Sequence, residues 1–257
     1  GVGHDLSHIR PKGSPVKNSA LTSTGLVPFM ERYSNSTREV AQDGRRGALM
    51  LSVSIKHPDS EAFIDAKMTE GKVTGANVSV KLDDAFMQAA VEGKPYIQQY
   101  PIDSENPTVT KEIDASTLWK KIVHNAWKSA EPGVLFWDTI IRESVPDCYA
   151  DEGFRTVSTN PCGEQPLLPY EACNLGSINL ACFFVPGHEH DEDPAAAGID
   201  WDGLKQVVHL AVRFLDNVID ASRFPLERID ETVRRNRKIG LGVMGFADLL
   251  FQLGIPY

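Results

Sequence analysis

The chain has 257 residues, 42% hydrophobic and 24% charged, an ordinary composition for a globular protein that can bury one large core or two modest ones. Its formal net charge of −9 excludes a broad nucleic-acid-binding surface, so phosphates can be held only by local Arg/Lys clusters or helix N-termini. No apolar run reaches the ~20 residues of a membrane-spanning helix, no signal-peptide pattern is present, and the cysteines are too few for a disulfide-stapled secreted scaffold; a reducing cytoplasm is the expected setting.

The chain opens in mid-pattern on Gly1-Val2-Gly3, without Met, and stops after an apolar helix-like stretch at Tyr257, so it reads as an excised piece of a longer protein. Hydrophobic periodicity predicts a helix over 27–42, a Gly/Arg turn at 43–47 and a strand over 49–55 rich in Val and Ile. Asp59, after Pro58, marks a helix start, residues 77–82 alternate like a strand, and 84–91 reads as a helix. The polar, Pro-containing stretch 95–112 suggests a hairpin or surface excursion. An amphipathic helix follows over 118–129, with Leu118, Ile122, Val123 and Ala126 on one face, then a short buried strand at 133–137. Residues 187–198 form a hydrophilic insertion, and 204–219 is the clearest helix, with Val207, Val208, Ala211, Leu215 and Val218 on its apolar side. The four tryptophans, Trp119, Trp127, Trp137 and Trp201, are expected in cores. Strands separated by helices indicate an α/β fold with a mainly parallel sheet or barrel.

Cys148, Cys162, Cys173 and Cys182 are spaced by fourteen, eleven and nine residues, unlike any zinc-ligand pattern, and buried thiols are the simplest expectation. The sharpest segment is 160–166, Asn-Pro-Cys-Gly-Glu-Gln-Pro. Pro161, Gly163 and Pro166 all disfavour helix, so an extended chain is expected. Asn160, Cys162 and Glu164 would then project to one side, about 6–7 Å apart, placing a thiol between a carboxylate and an amide. A Pro-rich loop around a merely buried cysteine is the alternative.

Residues 1–17 have the look of a phosphate-binding segment, with glycines that permit close backbone approach followed by Arg10, Lys12 and Lys17; a solvated basic turn is the plainer reading. Residues 240–245 match GxGxxG formally, but the preceding strand signal is short, and a tight strand-to-helix packing turn fits better. The run His188-Glu189-His190-Asp191-Glu192-Asp193 is expected to be an exposed loop with at most adventitious metal affinity.

Residues 160–180, NPCGEQPLLPYEACNLGSINL, closely resemble the active-site finger loop of ribonucleotide reductases, in wording most like the adenosylcobalamin-dependent class II branch. Residues 1–17 (GVGHDLSHIRPKGSPVK), 44–51 (GRRGALML) and 238–249 (KIGLGVMGFADL) resemble the same catalytic barrel in the same order; the resemblance covers about four-fifths of the chain and fits 95–112 and the acidic loop least. It implies part of a ten-stranded α/β barrel of two five-stranded halves with a central finger loop at 160–173, and effector and substrate loops within 1–48. It further implies reduction of ribonucleotides, with diphosphates favoured over triphosphates. Cys162 would carry a thiyl radical that takes hydrogen from the ribose 3' carbon, Glu164 would act as base on the 3' hydroxyl, and Asn160 would orient the sugar. Cys173 would be one of two reducing thiols, brought back by a turn near Pro166 or Pro169, its partner lying outside this chain; alone, the chain would hold the radical site without completing a cycle. Cys148 and Cys182 match neither redox position and are read as a loop cysteine and a strand-end hydrophobe.

By the same resemblance Gly1, Gln42 and Arg46 line the substrate site, while Arg10 and Lys17 hold the phosphates of a dNTP or ATP effector that selects the base to be reduced. The implied cofactor is adenosylcobalamin, with no metal held directly by these residues, and the implied partners are a thioredoxin-like reductant and a second copy of the full protein. Three rivals stay open at this point: a class I large subunit fed by a separate radical-generating metal subunit, a nicotinamide-dependent dehydrogenase built on 240–245, and a non-catalytic nucleotide sensor using Arg10 and Lys17.

Overall fold

The computed structural model describes residues 1–40, 44–187 and 198–257. They divide into two compact units, Gly1–Pro169 and Tyr170–Tyr257.

In the first unit β1 (Val2–Asp5) leads through a long loop to α1 (Val27–Glu39), β2 (Leu49–Ser54), α2 (Ser60–Ile64), β3 (Asn77–Leu82) and α3 (Asp84–Glu92). A hairpin of β4 (Pro95–Tyr100) and β5 (Val109–Asp114) follows, then α4 (Ala115–Ser129), β6 (Gly133–Phe136) and α5 (Trp137–Glu143). Strands β1, β2, β3 and β6 make a parallel sheet in that order. Helix starts follow local chemistry: the Asp83 and Asp114 carboxylates accept from the amides of Phe86 at 2.7 Å and Thr117 at 2.6 Å, capping α3 and α4. The first helix stops at Glu39, before the expected position 42, because β-branched Val40 is extended.

The two faces of this sheet differ in kind. Leu49, Leu51, Val53, Val78, Val80 and Leu82 point to the helices, where Met30, Phe63, Phe86, Leu118 and Ile122 complete the core. The alternate positions are Gly3 and Asp5 on β1, Met50, Ser52 and Ser54 on β2, Asn77, Ser79 and Lys81 on β3, and Gly133 and Leu135 on β6, aligned by the strand register. Parallel sheets covered on both faces usually carry near-continuous apolar strands. Here one face is largely polar or glycine, Met50 and Leu135 excepted, yet Ser52, Ser79 and Lys81 are buried.

Several expectations need correction. The 95–112 stretch is a hairpin, but it is docked rather than an excursion: Gln98 is fully buried and its Nε2 donates to the Ile55 carbonyl and Ser60 hydroxyl, while the Tyr96 hydroxyl donates to Asp83. The 133–137 strand buries only Leu135, and Trp137 begins the next helix. Trp127 and Trp201 are 79% and 67% exposed, so neither packs a core of its unit.

After α5, a 3-10 turn (Pro146–Glu152) leads to a second, short hairpin, β7 (Ser158–Thr159) with β8 (Pro166–Leu167). The second unit pairs β9 (Asn174–Asn179) with a later strand around a small hairpin of β10 (Phe184–Val185) and β11 (Gly198–Ile199), and then α6 (Trp201–Ala221) and α7 (Glu227–Asn236). That later strand is β12 (Ile239–Met244), parallel to β9 over six residue pairs and followed by α8 (Phe246–Leu253). Leu215 and Ile219 are the buried positions of α6, whereas the predicted Val207 and Val208 are exposed. Among the described residues the parallel strands form a four-stranded and a two-stranded sheet rather than a closed barrel.

Candidate active site

The 160–166 segment is not extended. It is the tip of the β7–β8 hairpin, closed by the Asn160 amide donating to the Gln165 carbonyl at 3.1 Å and the Gln165 amide donating to Asn160 Oδ1 at 3.0 Å. Within it the Gly163 amide donates to the Asn160 carbonyl at 3.1 Å, making a turn with Pro161 second and Gly163, at φ +90°, fourth. Pro at the second place pre-sets the turn, and Asn at the first closes it through its side chain, so turn chemistry overrides the extended reading. Asn160 therefore spends its carbonyl oxygen on the loop and keeps its Nδ2 donor available. Cys162, third in the turn, is exposed, as is Glu164.

This finger lies across the polar face of the sheet in matched steps. The Val157 carbonyl receives Lys81 Nζ at 2.5 Å, and Lys81 also meets Asp5 Oδ1 at 3.1 Å and stands 3.9 Å from the centre of the Trp137 ring. Two residues on, a β-carbon built on Gly3 would lie 1.8 Å from the Thr159 carbonyl oxygen. Two further, one on Gly1 would lie 2.4 Å from Pro161 Cγ, and Asn77 Nδ2 donates to the Pro161 carbonyl at 2.8 Å. The stem thus runs antiparallel to β1 and β3; Gly3 is needed because the Thr159 backbone passes so close, and Gly1 because the Pro161 ring does. Beyond the tip, Gly163 faces Met50 and Leu135. Burial lowers the Lys81 pKa, opposed by Asp5.

Beside the tip, Gly1 and Arg46 line one cleft of about 530 Å³ together with Val2, His4 and Thr37. Arg46 also lines a neighbouring cleft of about 540 Å³ with Arg38, Lys67 and Asn77. Two of the predicted substrate-site residues are therefore brought together; Gln42 lies outside the described residues. Arg10 and Lys17 are both exposed on the loop after β1. That loop is pinned by His57 Nε2 to the Ile9 carbonyl at 2.8 Å, the Lys12 amide to Asp59 Oδ2 at 2.9 Å, and the Ser23 hydroxyl to the Arg10 carbonyl at 2.8 Å.

Cys173 is half-buried in the second unit, just ahead of β9. Nearby, the fully buried Glu171 carboxylate accepts from Lys238 Nζ at 3.0 Å and from Asn236. None of the four cysteines is buried: Cys148 is exposed in the 3-10 turn, its Sγ on the Val145 carbonyl, and Cys182 is exposed in a 3-10 turn after β9 rather than being a strand-end hydrophobe. The acidic run 188–193 lies outside the described residues, among which no group of His, Cys, Asp and Glu is placed to hold a metal. Gly240 and Gly242 sit inside β12, paired with Leu175 and Ser177, so they form no phosphate-cradling loop. Only Gly245, at φ +68°, is in the strand-to-helix turn, and it packs on Asn179.

Residues that sequence reasoning missed are Gly3, Asp5, Asn77 and Lys81. Their signal is the alternation itself: a buried parallel strand written with Ser, Asn and Lys at every second position has a polar task on that face.

The whole chain, residues 1–257, matches the family model described as ribonucleotide reductase, barrel domain, and the chain belongs to that family. It is 42% identical, over its full length, to the vitamin B12-dependent ribonucleoside-diphosphate reductase of Thermoplasma acidophilum and 41% identical to that of Mycobacterium tuberculosis. It spans 32% and 35% of those proteins, about a third of each. Similarity to the ribonucleoside-diphosphate reductase subunit alpha of Chlamydia trachomatis is lower, at 28% identity.

Proposed function

We propose that the full-length protein reduces ribonucleoside diphosphates to 2'-deoxyribonucleoside diphosphates by thiyl radical chemistry at Cys162. The observation that carries the reading is the finger itself, which holds the Cys162 thiol at a hydrogen-bonded turn above a largely polar sheet face, beside a cleft lined by Gly1 and Arg46. Ribose hydroxyls require polar partners, and Asn160 Nδ2 and the Glu164 carboxylate flank the thiol in sequence. In this reading the Cys162 thiyl takes the 3' hydrogen atom, and Glu164 accepts the 3' hydroxyl proton as the 2' hydroxyl leaves as water. Two thiols, Cys173 and a cysteine outside this chain, supply two electrons and two protons and become a disulfide; the 3' oxygen regains its proton from Glu164, and the 3' hydrogen returns from Cys162. A thioredoxin-like dithiol reduces the disulfide.

Names of the more similar relatives favour vitamin B12 as the source of the radical over a separate metal subunit. Adenosylcobalamin, when bound, supplies a carbon-centred radical able to take the thiol hydrogen. The ten-stranded barrel would be completed by parts of the protein beyond this chain. Arg10 and Lys17, exposed on a pinned loop, suit the phosphates of an effector nucleotide, with Gln42 and Arg46 relaying base choice to the substrate. Turnover of a ribonucleoside diphosphate by the full-length protein, with a dithiol, tests the class: dependence on added adenosylcobalamin alone supports it, and activity only with a second metal-containing subunit overturns it.

A further inference from the structure

Lys81 is a feature of the site that neither fold nor core requires. It stands in the middle of a parallel sheet, 5% exposed, where a branched apolar residue is the usual occupant. Taking an ammonium out of water costs on the order of several kcal/mol unless it is paired and fully hydrogen-bonded. Lys81 meets that condition with three partners from three places in the chain: Asp5 on β1, the Trp137 ring at the start of α5, and the Val157 carbonyl on the finger stem. Asp5 is held in turn by the Ser7 hydroxyl at 2.6 Å, and that hydroxyl accepts from the Ser54 amide at 2.8 Å.

The Val157 contact matters most. A backbone carbonyl fixes the position of the chain whatever side chain it carries, and Val157 immediately precedes β7. Four residues away along both chains, the Asn77 amide holds the Pro161 carbonyl, but in a solvent-exposed contact. The stem is therefore anchored to β3 at both ends of a run of about 13 Å, and the buried, charged end is Lys81. Slippage along the sheet would carry Gly3 and Gly1 out of the places where only a glycine lets the stem pass.

We propose that Lys81 is a positioning residue for the finger: held by Asp5 and Trp137, it grips the Val157 carbonyl and sets the height at which the Cys162 tip stands over the sheet. The proposal rests on the reading of Cys162 as the reacting thiol. Near-attack geometry is steep, a displacement of about 1 Å costing on the order of a hundredfold in rate. Loss of the grip should therefore appear in kcat and not in KM.

The test uses full-length K81M, K81R and D5N/K81M proteins; in the last no buried charge is left and Ser7 keeps its acceptor. The expected result for K81M is a kcat lowered about 10–100-fold with KM for the ribonucleoside diphosphate within about twofold. Amide exchange over 157–167 and alkylation of Cys162 by iodoacetamide should both change, with exchange over 118–129 unaltered, and K81R should recover much of the rate. Wild-type kcat and finger exchange in K81M overturn the proposal, as does loss of protection spread equally over both segments. If K81M does not fold, D5N/K81M carries the same comparison; if neither folds, Lys81 is a residue of general stability and the proposal fails. Turnover by C162S would sink the radical reading, whereas the exchange results on the finger stand apart from it.

Discussion

Gly3 and Thr159 stand back to back: a β-carbon on Gly3 would lie 1.8 Å from the Thr159 carbonyl oxygen, with Ser158 Oγ 2.9 Å away. No flexible side-chain end is involved on the Thr159 side, so the finger stem itself must shift. Gly3→Ala is expected to destabilise by about 1–3 kcal/mol, as overpacking does, and to lower turnover of the full-length protein at least tenfold. Thermal unfolding and steady-state rates check the two parts; a variant with unchanged rate would mean that the stem does not set the tip.

Asn160 Oδ1 closes the finger on the Gln165 amide, and the proposed function assigns its Nδ2 to the substrate. Asn160→Asp keeps the first and removes the second, while Asn160→Ala removes both. Amide exchange at Gln165 should stay slow in the Asp variant and speed up in the Ala variant, reflecting about 1 kcal/mol for the lost bond. Turnover should fall in both; retained activity in the Asp variant would remove Asn160 from the substrate site.

His57 couples pH to the loop that carries Arg10 and Lys17. Its Nδ1 accepts from the Asp59 amide, so the neutral ring carries its proton on Nε2 and donates to the Ile9 carbonyl. Burial lowers its pKa from 6.5, against smaller opposing effects of the Ile9 carbonyl, Asp59 and Asp5. The unfolded chain thus binds the proton more readily, so this contribution is complete above about pH 6.5 and is lost as pH falls from there through the folded pKa. His57→Gln can still donate to Ile9 but cannot titrate; its melting temperature should depend less on pH between about 7 and 5 than that of the wild type. Equal slopes in the two proteins would contradict this.

In the second unit, Lys238→Met removes the ammonium that meets the buried Glu171 carboxylate at 3.0 Å, two residues before Cys173. Breaking such a pair from one side typically costs on the order of 3 kcal/mol, and E171Q/K238M should recover most of it. Calorimetry on the three variants measures the cycle, and an undisturbed single variant would show that the pair carries little.

Much of the fold was legible from hydrophobic periodicity: β3 at 77–82 and the helix read as 84–91 were legible almost to the residue, whereas the helix read from 118 starts three residues earlier, at Ala115, behind the Asp114 cap that periodicity does not show. The finger was located by its motif but its shape was misjudged, since Pro161 and Gly163 were read as helix breakers when, with Asn160, they compose a turn. Lys81, Asp5 and Asn77 stayed hidden for a different reason. Alternation in a strand says which residues share a face, but not what crosses that face from eighty residues away. Trp127 and Trp201 misled in the opposite sense: aromatic character indicates that burial is favourable, not which surface supplies it.

The most direct measurement is turnover and nucleotide binding by the full-length Cys162→Ser protein. The radical reading predicts no detectable deoxyribonucleotide, with substrate and effector affinities within about twofold of wild type, since serine keeps the turn and removes only the weak S–H bond. Reduction at even a tenth of the wild-type rate would contradict the assignment of Cys162.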